Sequence, residues 1–211
     1  LSMLNLQESR SMLSELMMEH PENDRYRALH LMRGSRILDV LVQQDQLDLA
    51  AVKLEELQAE WAKYLADNAE HDARSRVNYV EFFLTRATIE RRRGAEDAAR
   101  AALSEAISII LETLEASPDL AIGRTQLAMA VYHYWDLTGA PVESRVLAQL
   151  PGANRADTYR QSCLDVNVAA RLAVMRGDLA AAQSYTAYLL SKGYFEPGFI
   201  RFCRSRGVCE Q

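Results

Sequence analysis

The stretch Gly94–Ile107, GAEDAARAALSEAI, decides how this chain is read, because it is written again with small changes elsewhere. GDLAAAQSYTAYL at Gly177–Leu189 and DQLDLAAVKLEEL at Asp45–Leu57 follow the same plan. Each opens on a residue suited to a turn and then runs into apolar positions at helical spacing. A small residue stands five places after the turn in all three, as Ala99, Ala182 and Ala50. Small side chains at fixed places let two helices approach closely, so each stretch reads as the second helix of a helical hairpin.

Outward from these segments, the whole chain carries helical periodicity and almost no strand-like alternation. With 9 Gly and 5 Pro in 211 residues it is short of turn-formers, and the fold class expected is all-α. A first helix is expected over Leu4–Glu19 on Leu4, Leu6, Leu13, Leu16 and Met17, stopped by His20-Pro21. Helix two runs Glu22–Gln44 on Leu29, Leu31, Ile37, Leu38, Leu41 and Val42. Helix three runs Leu47–Asn68 on Leu49, Val52, Leu54, Leu57, Trp61 and Leu65. Helix four, Asp72–Arg93, ends in three arginines followed by Gly94, cations at the negative helix end and a residue tolerant of positive φ. Helix five spans Glu96–Ala116. Ser117-Pro118-Asp119 is expected to stop it and to cap helix six, Pro118–Leu137. The pattern then falters: Val142–Leu150 makes at most a short helix before Pro151-Gly152-Ala153-Asn154. Helix seven (Arg155–Arg176), helix eight (Asp178–Ser191) and a short last helix (Gly198–Ser205) follow, the last with Phe199, Ile200 and Phe202 folded back as a lid.

Self-similarity at a fixed period points to a repeat array. The turns at Asp45 and Gly94 lie 49 residues apart, and Pro21 and Pro118 lie 97 apart, close to two such periods. The chain resembles the tetratricopeptide repeat. In that family a turn glycine is followed by small residues five and twelve positions on; Gly94, Ala99 and Ala106 match all three. Gly177 and Ala182 match two, with Leu189 at the third place, and Asp45 and Ala50 match two, with Leu57 at the third. Ala87 and Ala170 fit the small position of the first helix, where Leu38 and Tyr132 do not. The early aromatic occurs only as Phe83, and the units are longer than the family's usual length of about 34 residues. The resemblance implies one domain over 1–211: an N-terminal helix (1–20), repeat units at 21–70, 71–117, 118–153 (irregular) and 154–192, and a cap at 193–211.

What the resemblance implies about function is a non-catalytic domain that holds a peptide or helix in a concave groove lined by first helices. It further implies the regulatory part of a larger bacterial signalling protein, cytoplasmic, or alternatively a periplasmic domain of a membrane-anchored one. In this register the groove positions are Ser35, Asp39, Glu81, Thr88, Arg91, Arg92, Gln126, His133, Asp136, Asn167 and Arg171. Both signs of charge occur among them, as suits a partner carrying both.

Net charge is −5, so nothing draws the chain as a whole to nucleic acid or anionic lipid. No apolar run reaches the roughly 18 to 20 residues of a membrane helix, and no direct membrane insertion is expected of this segment. It opens Leu1-Ser2-Met3 and is read as a piece of something longer. No phosphate loop, dinucleotide fingerprint, nucleophile elbow or His-Glu-x-x-His pair occurs, and no catalytic residue, metal or cofactor is expected. His133 and Asp136 stand three apart on one helix face, which suits a hydrogen bond and falls short of a metal site. The surrounding Tyr132-His133-Tyr134-Trp135-Asp136 reads as core packing. Its neighbourhood to Asn154, where a second helix is missing, is the alternative place for a small ligand and a sensor role. Glu55, Glu56, Glu60, Glu112 and Glu115 read as solvated charge. Cys163, Cys203 and Cys209 read as free thiols, with a Cys203–Cys209 disulfide open to an oxidising compartment.

Overall fold

The turn that repeats in the sequence repeats in the backbone. In the computed structural model, which describes residues 3–67, 73–150 and 162–209, Gly94 and Gly177 both take a left-handed φ of 77°, and Asp45 takes 60° without being glycine. The hydrogen bonds around them are the same. Gln46, Ala95 and Asp178 each donate their backbone N–H to the carbonyl five residues back, on Leu41, Glu90 and Ala173. Asp45, Gly94 and Gly177 donate to the carbonyls three back, on Val42, Arg91 and Val174. This paired closure satisfies helix-end carbonyls that otherwise lack partners and turns the chain into the next helix.

All regular structure among the described residues is α-helical. In chain order the helices are α1 (Met3–Glu19), α2 (Asp24–Gln43), α3 (Leu47–Asp67), α4 (Ala73–Arg92), α5 (Glu96–Ala116), α6 (Ala121–Thr138), α7 (Ser144–Leu147), α8 (Cys163–Met175), α9 (Leu179–Ser191) and α10 (Pro197–Arg206). The chain divides into two compact units, Leu1–Ile109 and Ile110–Gln211, and the division falls inside α5. The repeat boundaries read at 20/21, 117/118 and 192/193 fall between helices, and those at 70/71 and 153/154 lie outside the described residues.

In the first unit α2 packs against α1 and α3, α3 against α4, and α2 also touches α4. Leu31, Leu38, Leu41, Leu54, Leu57, Trp61, Phe82 and Ile89 form the core. Ala50, the small residue after the Asp45 turn, is fully buried, as is Ala99 after Gly94. Where the resemblance calls for a second small residue, Leu57 stands instead, and the room for it comes from the opposite helix. A Cβ on Gly34 would lie 2.3 Å from Leu57 Cδ2. The exchange of small for large across the interface keeps the helices close.

Periodicity overstated the buried face at two helices. Leu4, Leu49 and Val52, read as core-facing, are all more than half exposed. A helix buries only the stripe its neighbours cover, and apolar residues outside that stripe stay wet.

In the second unit α8 packs against α9 and α6. Tyr132, Val166, Ala170, Ala182, Leu189, Phe199 and Phe202 share one core. The lid expected of α10 is present: Phe199 and Phe202 are buried, and Tyr194 closes the preceding turn by donating its N–H to Leu189 O at 3.0 Å. Cys203 and Cys209 form a disulfide, and Cys163 is the free thiol. Two helix starts are corrected. α6 begins at Ala121 with Leu120 as its N-cap and no side-chain cap, so Ser117-Pro118-Asp119 precedes the helix instead of capping it. α8 begins at Cys163, because Ser162 and Asp165 close a reciprocal capping box there; the expected helix from Arg155 to Gln161 lies outside the described residues.

Candidate functional site

On α2 and α4 the positions assigned to a groove fall on three levels of exposure. Ser35 and Thr88 are half-buried and donate their hydroxyls to their own helices, to Leu31 O at 3.3 Å and Leu84 O at 3.0 Å. Asp39 is half-exposed and accepts from Arg36 Nη1 at 3.1 Å, one turn away. Glu81 is half-buried and Arg91 is exposed. The band assigned to the groove therefore lies on two helices that touch each other, with Arg91 its exposed member.

Arg92 belongs to the frame and not to that band. Its Nη1 donates to Val42 O at 2.6 Å and approaches Asp45 Oδ1 at 3.4 Å, tying the end of α4 to the last turn of α2 and to the Asp45 turn. Arg93 does the same for the start of α3, donating to Asp48 Oδ1 at 2.6 Å and Leu47 O at 3.3 Å. Two of the three arginines at this helix end thus brace the junction between hairpins, as cations near carbonyl-rich helix ends do.

The second unit treats its assigned positions differently. Gln126, Asn167 and Arg171 are buried, at 8%, 2% and 5% exposure, so their side chains do not line an open surface. The reason is α10. Arg171 lies over the rings of both Tyr132 and Phe202, 5.1 Å and 4.5 Å from their centroids, donates Nε–H to Asn167 Oδ1 at 3.1 Å, and reaches Gly198 O at 3.3 Å. Asn167 in turn lies 3.5 Å from the Tyr194 hydroxyl. Desolvation pushes the guanidinium pKa down from its ordinary value, with Tyr132 and Glu196 opposing. A buried cation of this kind holds only while its ring and hydrogen-bond partners stay in place.

Asp136 has a partner from α10. Its carboxylate pairs with Arg206, whose guanidinium lies 5.4 Å from the Trp135 ring. His133 is half-buried with its ring 5.6 Å from that of Tyr132. Tyr132 itself is buried at 3%, as the packing interpretation requires, and of the alternative ligand neighbourhood Pro151–Asn154 lie outside the described residues. Among the described residues no group of three His, Cys, Asp or Glu side chains is arranged to hold a metal ion, and no helix is long and apolar enough to cross a membrane.

One polar cluster in the first unit has no trace in local sequence pattern. Arg10 on α1 donates Nε–H to His30 Nε2 at 3.0 Å and Nη2–H to Glu60 Oε2 at 2.9 Å. Because a guanidinium only donates, His30 Nε2 must accept, so the ring carries its proton on Nδ1. Nδ1 lies 3.2 Å from Ser14 Oγ, which donates onward to Arg10 O at 3.1 Å. Burial and then the Arg10 charge hold the imidazole pKa below its usual value; Glu60 works the other way. Residues 20 and 50 apart in the chain meet here, beyond the reach of any helical-face argument. Of the glutamates read as solvated, Glu60 is therefore partnered, although its side chain is still 44% exposed.

No family model, no curated protein and no solved structure matches the chain.

Proposed function

We propose that this is a divergent tetratricopeptide-like domain without catalytic activity, which holds a peptide or helix of a partner protein against the polar face of α2 and α4. The observation that carries the reading is the contact of α2 with α4 in addition to its hairpin neighbour α3. First helices of successive hairpins then stand side by side, the arrangement in which such repeats present one continuous surface. Asp39 and Glu81 supply negative charge there and Arg91 positive, a mixture that sets the direction and rate of docking more than its strength. The domain serves as the regulatory part of a larger bacterial signalling protein. The Cys203–Cys209 disulfide favours the periplasmic side over the cytoplasm, since such bonds persist in oxidising compartments.

A display library of random dodecamer peptides panned on the folded domain tests the reading. Selected peptides bind saturably, and Arg91→Glu weakens them while melting is unchanged. If no peptide is enriched, or if Arg91→Glu and Asp39→Lys both bind as the parent does, this face is not the docking surface.

A further inference from the structure

Helices α1, α2 and α3 enclose a cleft of about 430 Å³ in the first unit, within the size range of small-ligand sites. Its walls change character along their length. Met3, Ile37, Leu41 and Leu49 make one end apolar, while Ser14, His30 and Arg10 make the other polar. Lys53 joins Arg10 in the lining, and among the described residues no carboxylate does. Glu60 and Glu56, which pair with these two cations, stand at the solvent side with side chains 44% and 52% exposed. Leu49, 55% exposed on α3, is explained by this cleft, because it forms an open wall instead of a core contact.

The lining residues of α1, from Met3 to Ser14, span about 16 Å at the helical rise, room for an alkyl chain of medium length. A ligand that fits is apolar along most of its length and anionic at one end. Arg10 already grips one carboxylate, Glu60, with Nη2. A guanidinium presents five N–H donors in a planar fork and can take a second oxyanion. The hydroxyl of Ser11 and the amide of Gln7 lie in the same lining and can donate to it.

We propose that this cleft binds a medium-chain carboxylate, its oxyanion held by Arg10 and Lys53 and its hydrocarbon chain laid along Ile37, Leu41 and Leu49. The site is separate from the α2–α4 docking face and does not depend on it. The two cations supply the charge that the head group needs, and the apolar walls give the chain its burial.

Calorimetric titration of the whole chain with decanoate, below the concentration at which decanoate self-associates, tests the proposal. The expected result is one saturable site, with decanol and butyrate at least tenfold weaker because each lacks one of the two features recognised. Arg10→Gln weakens decanoate at least tenfold. Leu49→Asp does the same by placing like charge on the alkyl wall, and its exposed position keeps the fold intact, as circular dichroism of the variant would confirm. Absence of saturation by decanoate, or parental affinity in both Arg10→Gln and Leu49→Asp, overturns the proposal.

Discussion

Gly34 on α2 faces Leu57 on α3 so closely that a single added methyl group would lie 2.3 Å from Leu57 Cδ2 and 3.3 Å from its Cγ. Leu57 is fully buried, so it has no space to yield. Gly34→Ala is expected to destabilise the fold by about 1–3 kcal/mol through overpacking, although alanine is the better helix former. Leu57→Ala alone is expected to cost about 2–5 kcal/mol as a cavity. The double variant should be more stable than the sum of the two losses, because the alanine at 34 then fills space that Leu57 vacated. Chemical denaturation of the four proteins checks this; strict additivity would mean that the two residues do not meet.

The hairpin turns separate conformational cost from packing. A Cβ on Gly94 would meet nothing within 4 Å, so Gly94→Ala loses only through its φ of 77°, an expected cost of about 1 kcal/mol. Asp45 pays for the same left-handed backbone at 60°. Asp45→Gly is expected to raise stability by roughly 0.5 kcal/mol, the relief of strain being partly offset by the greater freedom of glycine in the unfolded chain. Thermal melts of both variants measure the pair, and an Asp45→Gly loss above that size would show the side chain to matter more than the backbone.

Arg91 and Arg92 are neighbours with different work. Arg92→Ala removes a charged hydrogen bond to Val42 O at 2.6 Å and is expected to cost about 1–2 kcal/mol. Arg91 is exposed, and Arg91→Ala is expected to stay within about 0.5 kcal/mol of the parent. Denaturation midpoints distinguish them, and equal effects would contradict the bracing role of Arg92.

These residues also show how far the amino-acid pattern could be read. The turns were legible because Gly94, Gly177 and Asp45 belong to the few residue types that tolerate a left-handed backbone. Ala50, Ala99 and Ala182 were legible as buried because the turn places them in register. Gly34 was not, since a glycine inside a helix means nothing until the residue opposite it is known. Leu49 and Val52 share the helical period of the buried stripe but fall where no neighbour covers them. Asn167 and Arg171 look like surface polar residues on α8; the return of Tyr194, Gly198 and Phe202 against them is not visible in that pattern. The Arg10–His30–Glu60 cluster joins three helices, and no local spacing records it.

His30 gives the first unit a pH dependence with a definite sign. Its pKa in the folded chain is lowered, first by burial and then by Arg10, and Lys53 adds in the same direction; Glu60 and the Arg10 backbone oppose, and Ser14 faces the other ring nitrogen. The unfolded histidine takes up its proton near pH 6.5, while the folded one resists. The unfolded state therefore binds more protons as pH falls below that value, and stability is lost. The melting temperature is expected to fall between pH 7.5 and 5.5, and less so in His30→Gln, which leaves His20, His71 and His133 in place. A parental slope in His30→Gln would remove His30 as the source.

The most direct measurement of the proposed role is backbone amide shift mapping of the isotopically labelled domain as it is titrated with a peptide selected on it. The account predicts perturbations concentrated at Ser35 and Asp39 on α2 and at Glu81, Thr88 and Arg91 on α4, with buried Asn167 and Arg171 unmoved. Shifts confined to other helices, or none at saturating peptide, would contradict it.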